Sequence, residues 1–330
     1  WVPSSIATHE HSIVAVLFSD NHFQLTTVDQ RGIARVWNVR ESTLLFDFTV
    51  LPQPNLLAAK KQSTVTAGCI GYAQERLFIG RSDGELSAWR MYNGGKLQEY
   101  QASEMEPVVE VNHVHGIHCL VALSIRGTLS FWRDIVQLEP LRPIRIIEGM
   151  TTGTLSFMSI HGDKTCSEAL VGDTHGRVVL WNALSSYAKA DRFNWAPDGG
   201  PAANNPDLPV SVACGHLYCS PPVMKSFLLT GSSDGYLRLY YLSLQRSLSL
   251  VTSVFSGGFS PARDGHVVLG PTAMDVSVDG KEVVVGDAAG GVRIWSVARV
   301  SKAKHELDLF PVEINLVQHW TILRPSKDES

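Results

Sequence analysis

The chain reads as short runs in which apolar and polar residues alternate, such as Ile13-Val-Ala-Val-Leu-Phe18 and Tyr236-Leu-Arg-Leu-Tyr240. That is the period of a half-buried strand, and helical periodicity is almost absent. Six segments share one template. Gly32, Gly84, Gly127, Gly176, Gly235 and Gly290 each stand five positions before an aromatic: Trp37, Trp89, Trp132, Trp181, Tyr240 and Trp295. Residues 23–28, 76–79, 118–123, 168–171, 227–230 and 282–285 predict a strand before each glycine, and the alternating stretch after it predicts another. A glycine in so short a link supplies the positive φ of a tight hairpin. A third strand is predicted upstream of each hairpin, at 13–18, 64–70, 108–111, 155–158, 210–214 and 272–278. A fourth is predicted downstream, for example at 44–48, 96–100 and 144–147.

Four antiparallel strands in a unit of about 40–55 residues make the blade of a β-propeller. The expected architecture is therefore all-β, one propeller domain over residues 1–330. Its blades are read at 8–50, 63–102, 107–148, 152–196, 208–256 and 266–312. Residues 1–7 and 313–330 are read as closing strands or linkers. Six blades are readable; the preferred reading adds a seventh, split between the termini or lying outside this chain.

The template resembles the WD-repeat family. The resemblance is fullest in residues 8–38, where Thr8-His9-Glu-His11 precedes a strand and the hairpin ends in Val36-Trp37-Asn38. It covers about residues 8–312. No copy carries the family's Trp-Asp pair: Asn38, Arg90, Arg133, Asn182, Tyr241 and Ser296 follow the aromatics. The turn aspartate just before the glycine is matched by Asp83 and Asp234 only, whereas Asp29, Asp173 and Asp287 lie three positions before it. The family's buried network of His, Ser/Thr, Asp and Trp is thus expected to be incomplete in most blades.

Composition narrows the class. Of 330 residues, 44% are hydrophobic and 18% charged, which excludes global disorder. Lys plus Arg number 28 against 32 Asp plus Glu, a net charge of −4. A generic nucleic-acid grip needs a basic excess to release counterions, so nucleic acid is not an expected partner. Apolar runs fall short of the ~18 residues that span a bilayer, so no membrane insertion is expected. The opening Trp1-Val2-Pro3 carries no signal-peptide pattern, and the chain is read as a piece of something longer. Cys69, Cys119, Cys166, Cys214 and Cys219 are odd in number, widely spaced and without Cys-x-x-Cys. They are read as free, mostly buried thiols of an intracellular reducing compartment: the cytoplasm, the cytoskeleton or cilium, or the nucleus.

Candidate chemistry is sparse. The six repeat aromatics are read as packing between neighbouring blades and donating their polar hydrogens to buried partners. His113-Val-His115-Gly-Ile-His118 is the main histidine cluster, with no Cys or carboxylate placed to complete a zinc site. Cys214-Gly-His216-Leu-Tyr-Cys219 lacks the second half of a metal motif. Gly172-Asp173 to Gly176 and Gly286-Asp287 to Gly290 are followed by strands, not helices, so the aspartates are read as turn caps rather than phosphate loops. No nucleophile motif is present. No enzyme activity, metal, cofactor or small-molecule substrate is therefore expected. Arg126, Arg133, Arg142 and Arg145 are read as scattered surface charge.

Three irregular segments, 53–62, 194–209 and 256–265, are read as surface loops, where binding residues usually lie. Trp195, Asp198, Phe259 and Arg263 are the candidate partner contacts on them. The expected function is a non-catalytic protein–protein interaction scaffold within a multi-protein assembly. Arg40, two residues after Asn38, approximates the Trp-Asp-x-Arg ending of WD-repeat receptors of cullin-type ubiquitin ligases. The resemblance therefore implies such a receptor as an alternative, and a structural role in a cytoskeletal or ciliary complex as another.

Overall fold

A computed structural model describes residues 9–19, 23–51, 63–71, 75–101, 105–114, 118–147, 155–162, 167–173, 177–182, 191–194, 212–220, 225–242, 248–262, 265–277, 280–299 and 312–321. The first sheet is β1 (Ile13–Ser19), β2 (Gln24–Asp29), β3 (Ile33–Asn38) and β4 (Thr43–Thr49). The second is β5 (Val65–Ile70), β6 (Arg76–Arg81), β7 (Leu86–Arg90) and β8 (Lys96–Tyr100). The third is β9 (Val108–Val114), β10 (Cys119–Ser124), β11 (Leu129–Arg133) and β12 (Arg145–Ile147). The fourth is β13 (Leu155–Gly162), β14 (Ser167–Asp173), β15 (Arg177–Asn182) and β16 (Asp191–Asn194). The fifth is β17 (Val212–Ser220), β18 (Lys225–Ser232), β19 (Tyr236–Leu242) and β20 (Leu248–Phe255). A ribbon follows, β21 (Gly258–Ala262) with β22 (Gly265–Leu269). The last sheet is β23 (Pro271–Val276), β24 (Glu282–Asp287), β25 (Gly291–Arg299) and β26 (Val312–Thr321). Each four-stranded sheet is a meander whose strands neighbour one another in chain order, the form of a propeller blade. The chain divides into two compact units, residues 1–152 with 162–167 and residues 153–161 with 168–330. The first three sheets lie in the first unit; the fifth and last sheets and the ribbon lie in the second.

The repeat glycines do what their place predicts. Gly32, Gly84, Gly127, Gly235 and Gly290 have φ of 83°, 86°, 92°, 87° and 86°, while Gly176 lies outside the described residues. At Gly235 space is barred as well, because a Cβ would stand 2.5 Å from the Phe255 ring. The repeat aromatics mark a second shared feature. In four sheets the register of the last two strands slips at Trp37, Trp89, Tyr240 or Trp295. The extra residue, Leu45, Leu97, Val251 or Val317, is on the fourth strand, and such a bulge bends that strand opposite the aromatic.

The repeat rings join blades. Trp89 packs with Ala15, Val28 and Ala34 of the preceding sheet, and Trp132 with Ala67, Phe78 and Tyr100 of the one before it. Trp295 packs likewise with Phe227, Leu229 and Leu239 of the fifth sheet. Burial of a ring of this size is worth about 3 kcal/mol or more, so each blade is stabilised through its neighbour.

Two sequence readings are corrected. Residues 256–265 are not simply a loop, because Gly258–Ala262 pairs with Gly265–Leu269, Phe259 facing Val268 across the ribbon. The β-branched Val267 and Val268 favour that pairing. Residues 313–330, read as closing strands or linkers, contribute a strand that belongs to the last sheet: Val312–Thr321 is its fourth strand, paired along β25 from Arg299↔Val312 to Gly291↔Thr321. The polar stretch 300–311 separates the two strands in sequence and hides their kinship. The last blade therefore runs on to residue 321 rather than stopping at 312.

Candidate protein-interaction site

The first blade holds a continuous polar chain. His9 Nδ1 lies 2.9 Å from Asp29 Oδ2 and His9 Nε2 lies 2.7 Å from the Thr27 hydroxyl. Trp37 Nε1 donates to the same hydroxyl at 2.9 Å. A carboxylate only accepts, so Nδ1 carries the proton and Nε2 accepts from Thr27 when His9 is neutral. Asp29 also caps the turn, accepting from the amides of Arg31 and Ile33 at 2.9 and 3.0 Å. An aspartate three positions before the glycine thus completes, in this blade, the network that was expected to be incomplete in most blades.

Other blades use arginine instead. In the fifth sheet the fully buried Arg238 pairs with Asp234 at 2.6 Å and donates to Ser232 at 2.7 Å. In the last sheet Arg293 pairs with Asp287 and donates to the Ser256 carbonyl at 2.9 Å. Asp287 caps its own turn, accepting from Ala289 and Gly291 at 2.9 and 2.7 Å. The signal was in the sequence: Arg238 and Arg293 each stand three residues after the repeat glycine. Trp89 Nε1 donates to Ser87 at 2.9 Å and Trp295 Nε1 to Ser256 at 3.1 Å. Trp132 departs from the expected pattern, for its buried Nε1 has no acceptor among the described residues. It shares a cavity of about 20 Å³ with Glu106, whose carboxylate accepts from the Ser124 hydroxyl at 2.8 Å.

The second and third blades are tied by charge. Asp134, just beyond β11, accepts from Arg76 of β6 at 2.6 Å through Oδ1, and its Oδ2 lies 3.0 Å from His113 Nε2. The His113 ring stacks on Phe78 with centroids 5.8 Å apart. Burial pushes the Asp134 carboxyl up, but the His113 hydrogen bond and the Arg76 guanidinium outweigh it and hold it below the usual carboxylate range. Asp134 is thus the carboxylate that sequence reasoning did not find for His113. The remaining oxygen goes to Arg76, which makes the group an interblade tie. Burial pushes the nearby Cys69 thiol and Tyr100 hydroxyl up, and the Cys119 thiol up to about 11. Both cysteines are buried and free.

Past Asp134 the chain runs along the outer edge of the second blade. Tyr100 and Leu141 form a parallel bridge, with Gln101 N donating to Leu141 O at 2.8 Å and Leu141 N to Glu99 O at 2.9 Å. The buried Gln98 side chain clamps this segment from both ends, accepting from Gln137 N at 2.7 Å and donating to Glu139 O at 2.9 Å. An outer strand that would present open backbone groups is covered here. Above this strip lies an open groove of about 610 Å³. Leu86, Tyr100, Met105 and Pro140 give it apolar surface; Asp83, Glu85, Glu99 and Glu139 give it carboxylates. Arg142 is the basic lining residue. Beneath Asp83 and Glu85 lies Arg81, 7% exposed, with its guanidinium 2.6 Å from each carboxylate. Burial pushes Asp83 up, but the hydrogen bonds from Arg81 and the Glu85 amide, with the Arg81 charge, bring it below its ordinary range. Lys96 pairs with Glu99.

The residues singled out from sequence are not brought together at this groove. Arg40 is exposed, its guanidinium 3.9 Å from the centre of the Phe23 ring, and Asn38 Oδ1 caps its turn by accepting from Arg40 N at 2.9 Å. Trp195, Asp198 and Arg263 lie outside the described residues, as do Gly176 and His115. Phe259 and Trp181 are placed by backbone alone, in β21 and β15. Cys214, His216 and Cys219 lie in β17, where Cys219 has the opposite parity to the other two. Of the arginines read as scattered charge, Arg126 pairs with Glu106 at 3.1 Å and Arg142 lines the groove among carboxylates. No helix among the described residues is long and apolar enough to cross a membrane. The groove was missed because its walls come from a turn, an outer strand and a connecting segment that no single pattern links.

No protein-family model and no curated protein sequence matches the chain. Its fold is matched by the solved structure of U3-55K, with a TM-score of 0.69 over 95% of this chain and 83% of that one, at 13% identity. At that identity the likeness is one of fold. The chain is an all-β propeller of four-stranded antiparallel blades.

Proposed function

We propose that this chain is a non-catalytic protein-interaction scaffold, a WD-repeat subunit or domain of a larger multi-protein assembly in a reducing intracellular compartment. The observation that carries the reading is the open groove of about 610 Å³ on the second and third blades. Its walls are set by hydrogen-bonded turns and a clamped edge, so little order has to be gained when a partner docks. The propeller fold and the His9-Thr27-Trp37 chain, with Asp29 at its end, support the WD-repeat assignment. Photocrosslinking from the groove tests it. A benzoylphenylalanine at Met105, which is 85% exposed, is expected to give a discrete adduct with a partner that co-purifies reciprocally. A chain that gives no discrete adduct and turns over a substrate until one side chain is replaced would overturn the reading.

A further inference from the structure

We propose that the groove receives an extended peptide segment of the partner, with basic residues on either side of an apolar one. This deepens the scaffold reading and rests on it.

The shape argues for an extended segment. The groove is lined by Glu99 and Tyr100 at the end of β8, by Gln101 after them, and by Glu139, Pro140 and Arg142 of the strip that pairs there, so two extended segments lie side by side along it. Its volume falls in the ~300–1,000 Å³ range of sites that bury most of a ligand's surface. Met105 stands 85% exposed beside Leu86 and Pro140. An unbranched thioether adapts to differing apolar side chains.

The charges argue for a basic ligand. Arg81 alone serves both Asp83 and Glu85, so one guanidinium meets two carboxylates. Arg81 is 7% exposed, whereas the side chains of Asp83 and Glu85 are 37% and 57% exposed. An approaching ligand therefore meets acid first, with the cation fixed behind it. On the connecting segment Glu139 has no ion pair among the described residues, and it lines the groove with Glu99 and the one lining cation, Arg142. Its exposed carboxylate lies on a segment that Gln98 holds in place. Phosphate-bearing ligands would be repelled by the same carboxylates. A Lys or Arg on each side of an apolar anchor satisfies the carboxylates of the turn and of the connecting segment together with the apolar surface.

Random dodecamer phage display against the full immobilised chain tests this, followed by fluorescence anisotropy of the labelled selected peptides. Selected peptides are expected to place Lys or Arg on both sides of an apolar residue. Their affinity is expected to fall at least about tenfold in the chain carrying Glu85→Lys with Glu139→Lys. Glu85→Gln with Glu139→Gln, at the same exposed positions, is expected to give a smaller loss, with an unchanged circular dichroism spectrum and melting temperature. Selected peptides without basic residues, or an affinity that survives charge reversal, overturn the groove proposal and leave the scaffold reading standing. No enrichment at all, together with no adduct from Met105, overturns both.

Discussion

Asp134→Ala removes two acceptors at once from the tie between the second and third blades. It leaves Nε2 of His113, a side chain with no exposure, beside an apolar gap, and frees Arg76, whose side chain is 35% exposed. Removing one partner of a buried pair costs ~3–5 kcal/mol. Arg76 still reaches water, so the expected cost is nearer about 2–3 kcal/mol. At an unfolding entropy of about 2.1 cal/mol/K per residue, a chain of 330 residues that melts as one unit loses about 1.4 °C per kcal/mol, so a drop of about 3–4 °C is expected by scanning calorimetry. Urea titration gives the free energy directly. A cycle with Arg76→Ala is expected to show coupling of about 1–2 kcal/mol. The pH dependence has a definite sign. The Asp134 carboxyl is held below its ordinary range in the folded protein. Its contribution is therefore present above the unfolded-state value of ~4 and is lost as pH falls through the lower folded value. The difference between wild type and Asp134→Ala should shrink in that acid window. A variant within about 0.5 kcal/mol of wild type at neutral pH, the level of ordinary surface substitutions, would refute the tie.

Two further outcomes follow from the polar networks. Thr27→Val keeps the shape but removes the hydroxyl shared by His9 and Trp37; it should cost about 1–3 kcal/mol and speed hydrogen exchange at the Trp37 indole, and unchanged exchange by NMR would count against the network. Asp234→Ala leaves the fully buried Arg238 guanidinium without its carboxylate and should cost ~3–5 kcal/mol by urea unfolding. The double variant Asp234→Ala with Arg238→Leu should then be the more stable of the two, and a double variant at least as damaged as the single would show that the unpaired charge is not the cause.

The strands were legible because the alternation of Ile13–Phe18 or Tyr236–Tyr240 has one physical reading, a half-buried strand. The hairpins were legible because Gly32 and its counterparts stand where positive φ is needed. The candidate site was legible only in pieces. Asp83 and Gly84 announced a turn, but nothing in the sequence placed that turn beside Pro140 or put Arg81 beneath it. Loop composition pointed instead to Trp195, Asp198 and Arg263, which lie outside the described residues, and to Phe259, which belongs to a strand.

By itself the sequence determined the blade: its strand period, its glycine turn and the aromatic that closes it. These are local, set by backbone sterics and by the need to bury one face of a sheet. The tertiary structure alone decided which charges meet. Asp134 finds Arg76 across 58 positions of sequence, and Val312–Thr321 finds β25 across a polar stretch. Such pairings depend on distances in space between blades, and a one-dimensional pattern contains no measure of them.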